Sequence, residues 1–148
     1  MAATMSFGYE GDRGLGDRLL QAVLRGEKTA TSSLAVEYLS GEPLPRVGQR
    51  LMLVDHDGRL HGEVETTRVT IVPLYLVGDD VARDEGEGFV GAAVWRSEHV
   101  AYWNEVIDLV RSDCGDPIWE LREAEPVVVH WFRLIKTGSL PITSTESR

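Results

Sequence analysis

The stretch Gly26–Ser33, Gly-Glu-Lys-Thr-Ala-Thr-Ser-Ser, organises the chain. Apolar residues recur at helical spacing before it, so Gly26 stands where that helix needs a left-handed C-terminal cap. Lys28 then begins a predicted turn, and the Thr31 hydroxyl lies within reach of the Lys28 ammonium in any tight turn. An amine that loses its proton on burial can activate such a hydroxyl. The alternative is a solvated lysine beside hydroxyls that cap a helix beginning near Leu34.

Composition bounds the class of protein. The chain has 148 residues, of which 43% are hydrophobic and 26% charged, as in one ordinary globular domain. A lone cysteine, Cys114, excludes an internal disulfide, and no apolar run approaches the roughly 20 residues of a membrane span, so we expect a cytoplasmic protein. The net charge of −9 opposes binding to long polyanions and leaves a small nucleoside as the easier partner.

Hydrophobic patterning predicts the elements of the first half. Apolar residues at helical spacing predict a helix over residues 14–25, and a short apolar run predicts a buried strand over residues 49–55. A tight turn leads to a return strand whose apolar parity changes near residues 66–68. That change of phase predicts a β-bulge, and bulges bend sheets into barrels. A short helix over Ala35–Ser40 is also predicted.

The second half adds helices and one strong strand. We expect a short helix or turn over residues 77–85 and a longer helix with a wide apolar face over residues 94–111. Residues 126–136 are the strongest strand because of their β-branched and aromatic content. The sum is an α+β domain with a small, mostly antiparallel, curved sheet. Its predicted limits are a loose arm at 1–12, the domain at 13–136 and a polar, disordered tail at 137–148.

Other candidate chemistry lies in the histidines and in an acidic loop. The four histidines and Cys114 lack the spacing of a zinc motif, so no metal site is predicted. The run Glu-Gly-Glu-Gly at residues 85–88 would repel a phosphate through its two carboxylates. If the fold brings Glu85 or Glu87 beside Lys28, that carboxylate becomes a candidate general acid or base. The sequence leaves open which of the two faces the lysine.

Aromatic side chains are a further kind of candidate, because Trp and Tyr can stack on bases. Trp95, Tyr102 and Trp103 fall at helical spacing, which more often indicates core packing. Trp119, in a loop-like context after Pro117, is the least explained of these four aromatic residues.

Several of these features occur together in a specific order. They are Gly26–Ser32, Leu44-Pro45, Gly48, Val54-Asp55, Thr66-Thr67, Ala82, the run at 85–88, Trp95, His99 and Tyr102-Trp103. In this combination the chain resembles an ASCH domain, a branch of the PUA-like superfamily. The resemblance implies a PUA-like small β-barrel with peripheral helices and a cleft lined by the Gly-x-Lys-x-x-Thr turn.

The resemblance also carries functional expectations. The family is associated with RNA binding; some bacterial members similar to this chain are amidohydrolases that remove the acyl group from N4-acetylcytidine, and others are described as ribonucleases. By position in the motif, Lys28, Thr31 and Glu85 are the implied catalytic residues, with Glu87 as the fallback for the acid, and no cofactor is implied. The expected substrate contacts are Thr29, Ser32, Glu87, Trp95 and Trp119.

The leading hypothesis is therefore hydrolysis of an exocyclic amide on a modified pyrimidine nucleoside. Thr31 would attack the acyl carbonyl, Lys28 would accept its proton or stabilise the oxyanion, and Glu85 would relay protons to the leaving amine. The alternatives are a module that binds single-stranded or modified RNA in the same cleft, a ribonuclease, and a regulatory role with a vestigial cleft. The expected partner is a nucleoside or short single-stranded RNA, neither duplex DNA nor a membrane, and the oligomeric state stays open.

Overall fold

A curled five-stranded sheet forms the centre of the molecule. The computed structural model describes residues 3–9 and 11–137, and every structural statement below concerns these residues. The strands are β1 (Thr4–Ser6), β2 (Ala30–Leu34), β3 (Arg50–Val54), β4 (Leu60–Pro73) and β5 (Pro126–Thr137). They lie in the order β1-β3-β4-β5-β2, and every pair is antiparallel except β1 with β3. The predicted α+β, mostly antiparallel architecture is confirmed as a half-barrel.

The long strand β4 bends the sheet. Its pairing with β5 shifts register between Thr66 and Arg68, where the change of apolar parity predicts a bulge. A bulge adds twist and bends its strand, which lets β4 serve both halves of the curled sheet. The first half of β4 pairs with both β3 and β5, and its second half pairs with β5 as far as Pro73.

Helices cover both faces of the sheet. They are α1 (Leu15–Leu24), α2 (Asp79–Asp84), α3 (Ala92–Glu105) and α4 (Ile107–Cys114), with short 3-10 helices at Ala35–Ser40 and Leu74–Leu76. Just beyond α1, Gly26 has φ +79°, the left-handed geometry expected of a glycine that ends a helix. Of the described residues, no helix is long and apolar enough to cross a membrane.

The helix predicted over residues 94–111 is two helices. The backbone leaves the helical conformation at Val106, with φ −103° and ψ 24°, and α4 starts at the next residue. The two helices serve different neighbours, since α3 packs against α2 and α4 packs against the 3-10 helix Ala35–Ser40. The break at Val106 thus lies between the helix that packs against α2 and the helix that packs against Ala35–Ser40.

Two further expectations are wrong. The arm at 1–12 is not loose throughout, because β1 pairs with β3 and Met5 is buried in the core beside α1. The segment after Lys28 is not a turn, because Ala30–Leu34 form β2 against β5. The strand is difficult to recognise from sequence because its three central residues are small and carry hydroxyls. Only Ala30 and Leu34 bring apolar side chains to the core. The predicted tail at 137–148 lies outside the described residues, except for Thr137, which ends β5.

The core is divided by the sheet into two clusters. One face carries Ala30, Leu34 and Trp131 against α2, α3 and α4, and the other carries Phe132 with residues of α1 and β3. Because side chains alternate along a strand, the residues between Ala30 and Leu34 divide between the faces. Thr31 lies directly opposite His130 of β5, on the face of Phe132.

Candidate functional site

A cleft of about 1090 Å³ opens where the half-barrel fails to close. The two end strands of the sheet line it, with Thr4–Ser6 of β1 on one side and residues 31–33 of β2 on the other. Side chains of α1, α3 and the loop after α2 complete the lining. Because a β-sheet edge, a helix and a loop meet here, residues far apart in sequence share one cavity.

Lys28 is buried at the wall of this cleft, with 2% of its surface exposed. Its ammonium donates to the Glu85 carbonyl oxygen at 3.3 Å, to Glu85 Oε1 at 3.4 Å and to Glu87 Oε2 at 3.2 Å. The Phe7 ring lies 5.7 Å away on the cleft side. Three acceptors match the three N–H groups of an ammonium. These contacts suit a charged lysine that holds two carboxylates, and not an amine that accepts a proton from Thr31.

Glu85 is the most enclosed acid of the site, at 1% exposed. Besides Lys28 it accepts hydrogen bonds from Ser32 Oγ and from Trp95 Nε1 at 2.7 Å, and His99 Nε2 lies 3.4 Å from Oε1. Burial by itself raises the pKa of Glu85, but the His99 hydrogen bond and the Lys28 charge outweigh it and lower the pKa to about 2. Glu85 is therefore ionised, and both of its carboxylate oxygens already contact donors of the protein.

Glu87 differs from Glu85 in access and in charge state. Its side chain is 22% exposed and contacts the same ammonium. Burial raises its pKa, the Lys28 charge lowers it, the Glu85 charge raises it, and the balance is a raised pKa. We refer to Lys28, Ser32, Glu85, Glu87 and His99 as the charged cluster. Within it, Glu87 is the carboxylate that a ligand can reach most easily.

A close backbone approach brings the charged cluster together. The Thr29 amide donates to the Asp84 carbonyl at 2.8 Å, and the Thr29 hydroxyl contacts the same oxygen at 3.4 Å. Gly86, with φ +66°, lies so close that a Cβ there would collide with the Glu27 carbonyl oxygen. The end of α2 is thereby fixed to the entry of β2. This explains why the sequence needs glycine between the two glutamates.

A second group of residues at the cleft is uncharged. Thr31 lines it and pairs in register with His130, whose Nε2 lies 2.7 Å from the buried Thr66 hydroxyl. Burial lowers the pKa of His130 to about 4, so the ring is neutral at pH 7. Within the described residues the Thr31 hydroxyl has no hydrogen bond, to Lys28 or to any other group. We refer to Thr31, His130 and Thr66 as the neutral wall.

Comparison with known proteins identifies the family. The profile of the ASCH domain family matches residues 3–136. The chain belongs to the ASCH domain family. Among proteins with curated functions, none matches the sequence.

Two solved structures resemble this ASCH domain. An ASCH domain from Lactobacillus crispatus JV V101 is 28% identical, with a TM-score of 0.72 over 90% of this chain and 79% of that one. Protein EF3133 from Enterococcus faecalis V583 is 26% identical, with a TM-score of 0.76 over 93% of this chain and 78% of that one. The PUA-like fold implied by the sequence motifs is therefore confirmed.

The remaining sequence-based candidates of the ASCH domain lie apart from the cavity. Thr29 fixes the backbone at Asp84, and Trp95 is fully buried, where it donates to Glu85. Trp119 packs against the core cluster beside α3 and α4, and its carbonyl accepts from Arg111 Nε at 2.9 Å. None of the three lines the cleft, so a stacking role for Trp95 or Trp119 gains no support.

Two histidines that line the cleft were missed as site residues. His99 stacks on Trp95 at 4.1 Å between ring centroids and reaches Glu85. Its spacing of four residues from Trp95 on a helix was the available signal. His130 carried no such signal, because its role depends on strand register. Within the described residues, no group of three His, Cys, Asp or Glu side chains is arranged to hold a metal ion.

The cleft of the ASCH domain is strongly acidic. Lys28 is the only Lys or Arg among its described lining residues, and Glu85 and Glu87 already neutralise that charge. The lining carboxylates are Glu37, Glu42, Glu85, Glu87, Glu98 and Asp113. A ligand that carries phosphates would be repelled from such a site, whereas an uncharged one would not.

Proposed function

We propose that this ASCH domain hydrolyses the exocyclic N4-acyl amide of a modified pyrimidine nucleoside, with Thr31 as nucleophile. The observation that carries the proposal is the convergence in one cavity of a hydroxyl without a partner, Thr31, and a carboxylate of raised pKa, Glu87. A carboxylate whose pKa moves towards neutrality is suited to accept and return a proton. The cleft is large enough to admit a ligand of nucleoside size.

The reaction has two steps. The Thr31 oxygen bonds to the acyl carbon while its proton passes to Glu87, and the carbonyl oxygen becomes an oxyanion. The oxyanion collapses, the bond between the acyl carbon and N4 breaks, and Glu87 returns the proton to N4 of the leaving amine. Water then attacks the Thr31 ester, losing a proton to Glu87, and the ester C–O bond breaks as Thr31 regains its proton. The products are the nucleoside with a free amine and a carboxylic acid.

Lys28 and Glu85 act here by position and not by proton transfer. The Lys28 ammonium already donates to two carboxylates and a carbonyl, so its N–H groups are engaged. Glu85, ionised and held by Trp95 and Ser32, keeps Lys28 in place. This assigns the proton relay to Glu87, the fallback among the two glutamates of the acidic loop, because Glu85 has no free lone pair directed at a ligand.

A second candidate function is binding of single-stranded RNA in the same cleft, supported by the aromatic side chains Phe7, Tyr38 and Phe89 among the lining residues. The acidic lining weighs against it, since affinity for a nucleic acid rests mainly on neutralising phosphates. The charge therefore favours the free nucleoside over the polymer.

The test is release of cytidine from N4-acetylcytidine, followed by chromatography. We expect turnover by the native chain, a loss of roughly 10²-fold or more in kcat for Thr31→Ala, and a similar loss for Glu87→Gln. Thr67→Ala is the matched control, because Thr67 is an exposed threonine outside the cleft. Release no faster than that of Thr31→Ala would refute the hydrolase. Salt-sensitive binding of short RNA without turnover would establish the second candidate instead.

A further inference from the structure

His130 leaves one polar atom without a partner inside the cleft. The side chain is 7% exposed and lines the cavity. Its Nε2 is paired with Thr66 Oγ1 at 2.7 Å. Its Nδ1 has no hydrogen-bond partner in the described part of the chain. A buried polar atom that borders a cavity is expected to find its partner there, in a ligand or in solvent.

The hydrogen-bond network determines which nitrogen carries the proton. Thr66 is 1% exposed, and His130 is the only side-chain partner of its hydroxyl among the described residues. If the hydroxyl accepted from Nε2, its own hydrogen would be buried without an acceptor. The hydroxyl therefore donates to Nε2, and the neutral ring carries its hydrogen on Nδ1. His130 thus presents an N–H donor to the cleft.

This donor stands next to the proposed nucleophile. Thr31 and His130 are directly opposite each other in the β2–β5 pair, and side chains of such pairs project to the same face with Cβ atoms roughly 4.5–5.5 Å apart. Attack by Thr31 creates negative charge on the acyl oxygen, which requires a donor close by. Lys28 cannot supply it without losing a contact, since its three N–H groups are already engaged.

We propose that His130 donates its Nδ1–H to the acyl carbonyl oxygen of the substrate and stabilises the oxyanion that forms when Thr31 attacks. The inference rests on the proposed hydrolase function and adds a catalytic residue to it. No proton is transferred: the carbonyl electron pair moves onto oxygen as the Thr31 bond forms, and returns when the C–N4 bond breaks. A neutral donor held by Thr66 is already oriented for this task and needs no reorganisation during the reaction.

The first test reads the tautomer in the native chain without relying on activity. Histidine is labelled with ¹⁵N, and His130 is assigned by the loss of its signals in His130→Asn. We expect the Nδ1–H tautomer at neutral pH and a change of its Nδ1 signal when the inactive Thr31→Ala variant is saturated with N4-acetylcytidine. The Nε2–H tautomer, or saturation by the ligand without any change at Nδ1, would overturn the inference.

The second test is kinetic. His130→Leu removes the donor, and we expect kcat to fall roughly 10²–10³-fold with KM changed by less than about 3-fold, as for loss of one oxyanion donor. His130→Asn places an amide N–H near the position of Nδ1, and we expect it to be at least about 10-fold faster than His130→Leu. Thr66→Val should lower kcat while Thr66→Ser restores it, because only serine keeps the hydroxyl that fixes the ring.

The two proposals fail in different ways. If the native chain releases cytidine and His130→Leu keeps its kcat within about 3-fold, the role of His130 is refuted and the hydrolase stands. If the native chain releases no cytidine, the hydrolase is refuted. The NMR titration then still decides whether His130 contacts a bound nucleoside carbonyl.

Discussion

The charged cluster and the neutral wall differ in how completely their polar atoms are paired. In the charged cluster, Lys28 has three acceptors and Glu85 has donors from four side chains. In the neutral wall, the Thr31 hydroxyl and His130 Nδ1 have no partner within the described residues. Groups that are fully paired hold the site together, and groups that are unpaired remain free to meet a ligand. In the proposed mechanism, Lys28 and Glu85 therefore build the cleft, whereas Thr31 and His130 react in it.

Breaking the charged cluster should have the largest effect on stability. Lys28→Met leaves the buried Glu85 carboxylate and its neighbour Glu87 without a counter-charge, so we expect a loss of about 3–5 kcal/mol in the free energy of unfolding. Urea denaturation measures it. Lys136→Met is the matched control: the Lys136 side chain is 53% exposed and makes a single ion pair among the described residues, with Glu63 at 3.4 Å, so the loss should stay under about 1 kcal/mol. If both variants lost under about 1 kcal/mol in the free energy of unfolding, Lys28 would not stabilise the charged cluster.

As the pH falls, the protein should first lose stability through His130 of the neutral wall, and only at lower pH through Glu85 of the charged cluster. The folded pKa of His130, about 4, lies below its ordinary 6.5, so the unfolded chain binds a proton first as the pH falls. Stability from His130 is therefore lost between about pH 6.5 and 4, by at most roughly 3 kcal/mol. Urea denaturation at about pH 7 and about pH 5 measures this loss, and His130→Asn should remove most of it. If His130→Asn lost as much stability between about pH 7 and about pH 5 as the native chain does, the loss could not be assigned to His130.

The charged cluster responds at lower pH. The pKa of Glu85 falls from 4.5 to about 2 on folding, so its stabilisation is present above pH 4.5 and is lost as the pH approaches 2. Glu87 has the opposite sign, because its raised pKa means that protonation favours the folded chain. The gain from Glu87 is complete once the pH has fallen to about 4.5, so it offsets part of the His130 loss, and the decline below about pH 4.5 belongs to Glu85.

The smallest effect compares two neighbouring hydroxyls of β2. Ser32→Ala removes a donor from the buried Glu85 carboxylate, so we expect a loss of about 1–3 kcal/mol. Ser33→Ala removes a part-buried bond to the Tyr38 hydroxyl at 2.9 Å, and its loss should stay under about 1 kcal/mol. Thermal and urea unfolding of the two variants measure the difference. A larger loss for Ser33→Ala than for Ser32→Ala would contradict the stabilising role that we assign to the Ser32 hydroxyl.

Hydrophobic periodicity was sufficient for much of the fold. The helix that ends before Gly26, the bulge near Thr66 and the strand β5 are each confirmed, because each is specified by a local pattern. The strand β2 was not predicted, because a run of small hydroxyl residues is typical of turns as well as of strands, and only the pairing with β5 distinguishes the two. The break at Val106 depends on what α3 and α4 pack against, which no local pattern contains.

The candidate site was predictable only where a motif specified it. The motif resemblance brought Lys28 and the two glutamates to one site, and the structure places them in contact. It did not separate Glu85 from Glu87, because burial and hydrogen bonding distinguish them. His130 could not be found, since its place beside Thr31 follows from strand register. The catalytic roles of all these residues stay predictions.

The most direct test of the account is to look for an acetyl group on Thr31 during turnover. The chain is mixed with N4-acetylcytidine, quenched in acid within one turnover, digested and analysed by peptide mass spectrometry. We predict an acetyl group on the Thr31 hydroxyl in the native chain and none on that peptide in Thr31→Ala. Release of cytidine with no acetylated Thr31, or with the acetyl group on Lys28, would contradict the claim that Thr31 of the neutral wall is the nucleophile and that Lys28 acts only by position.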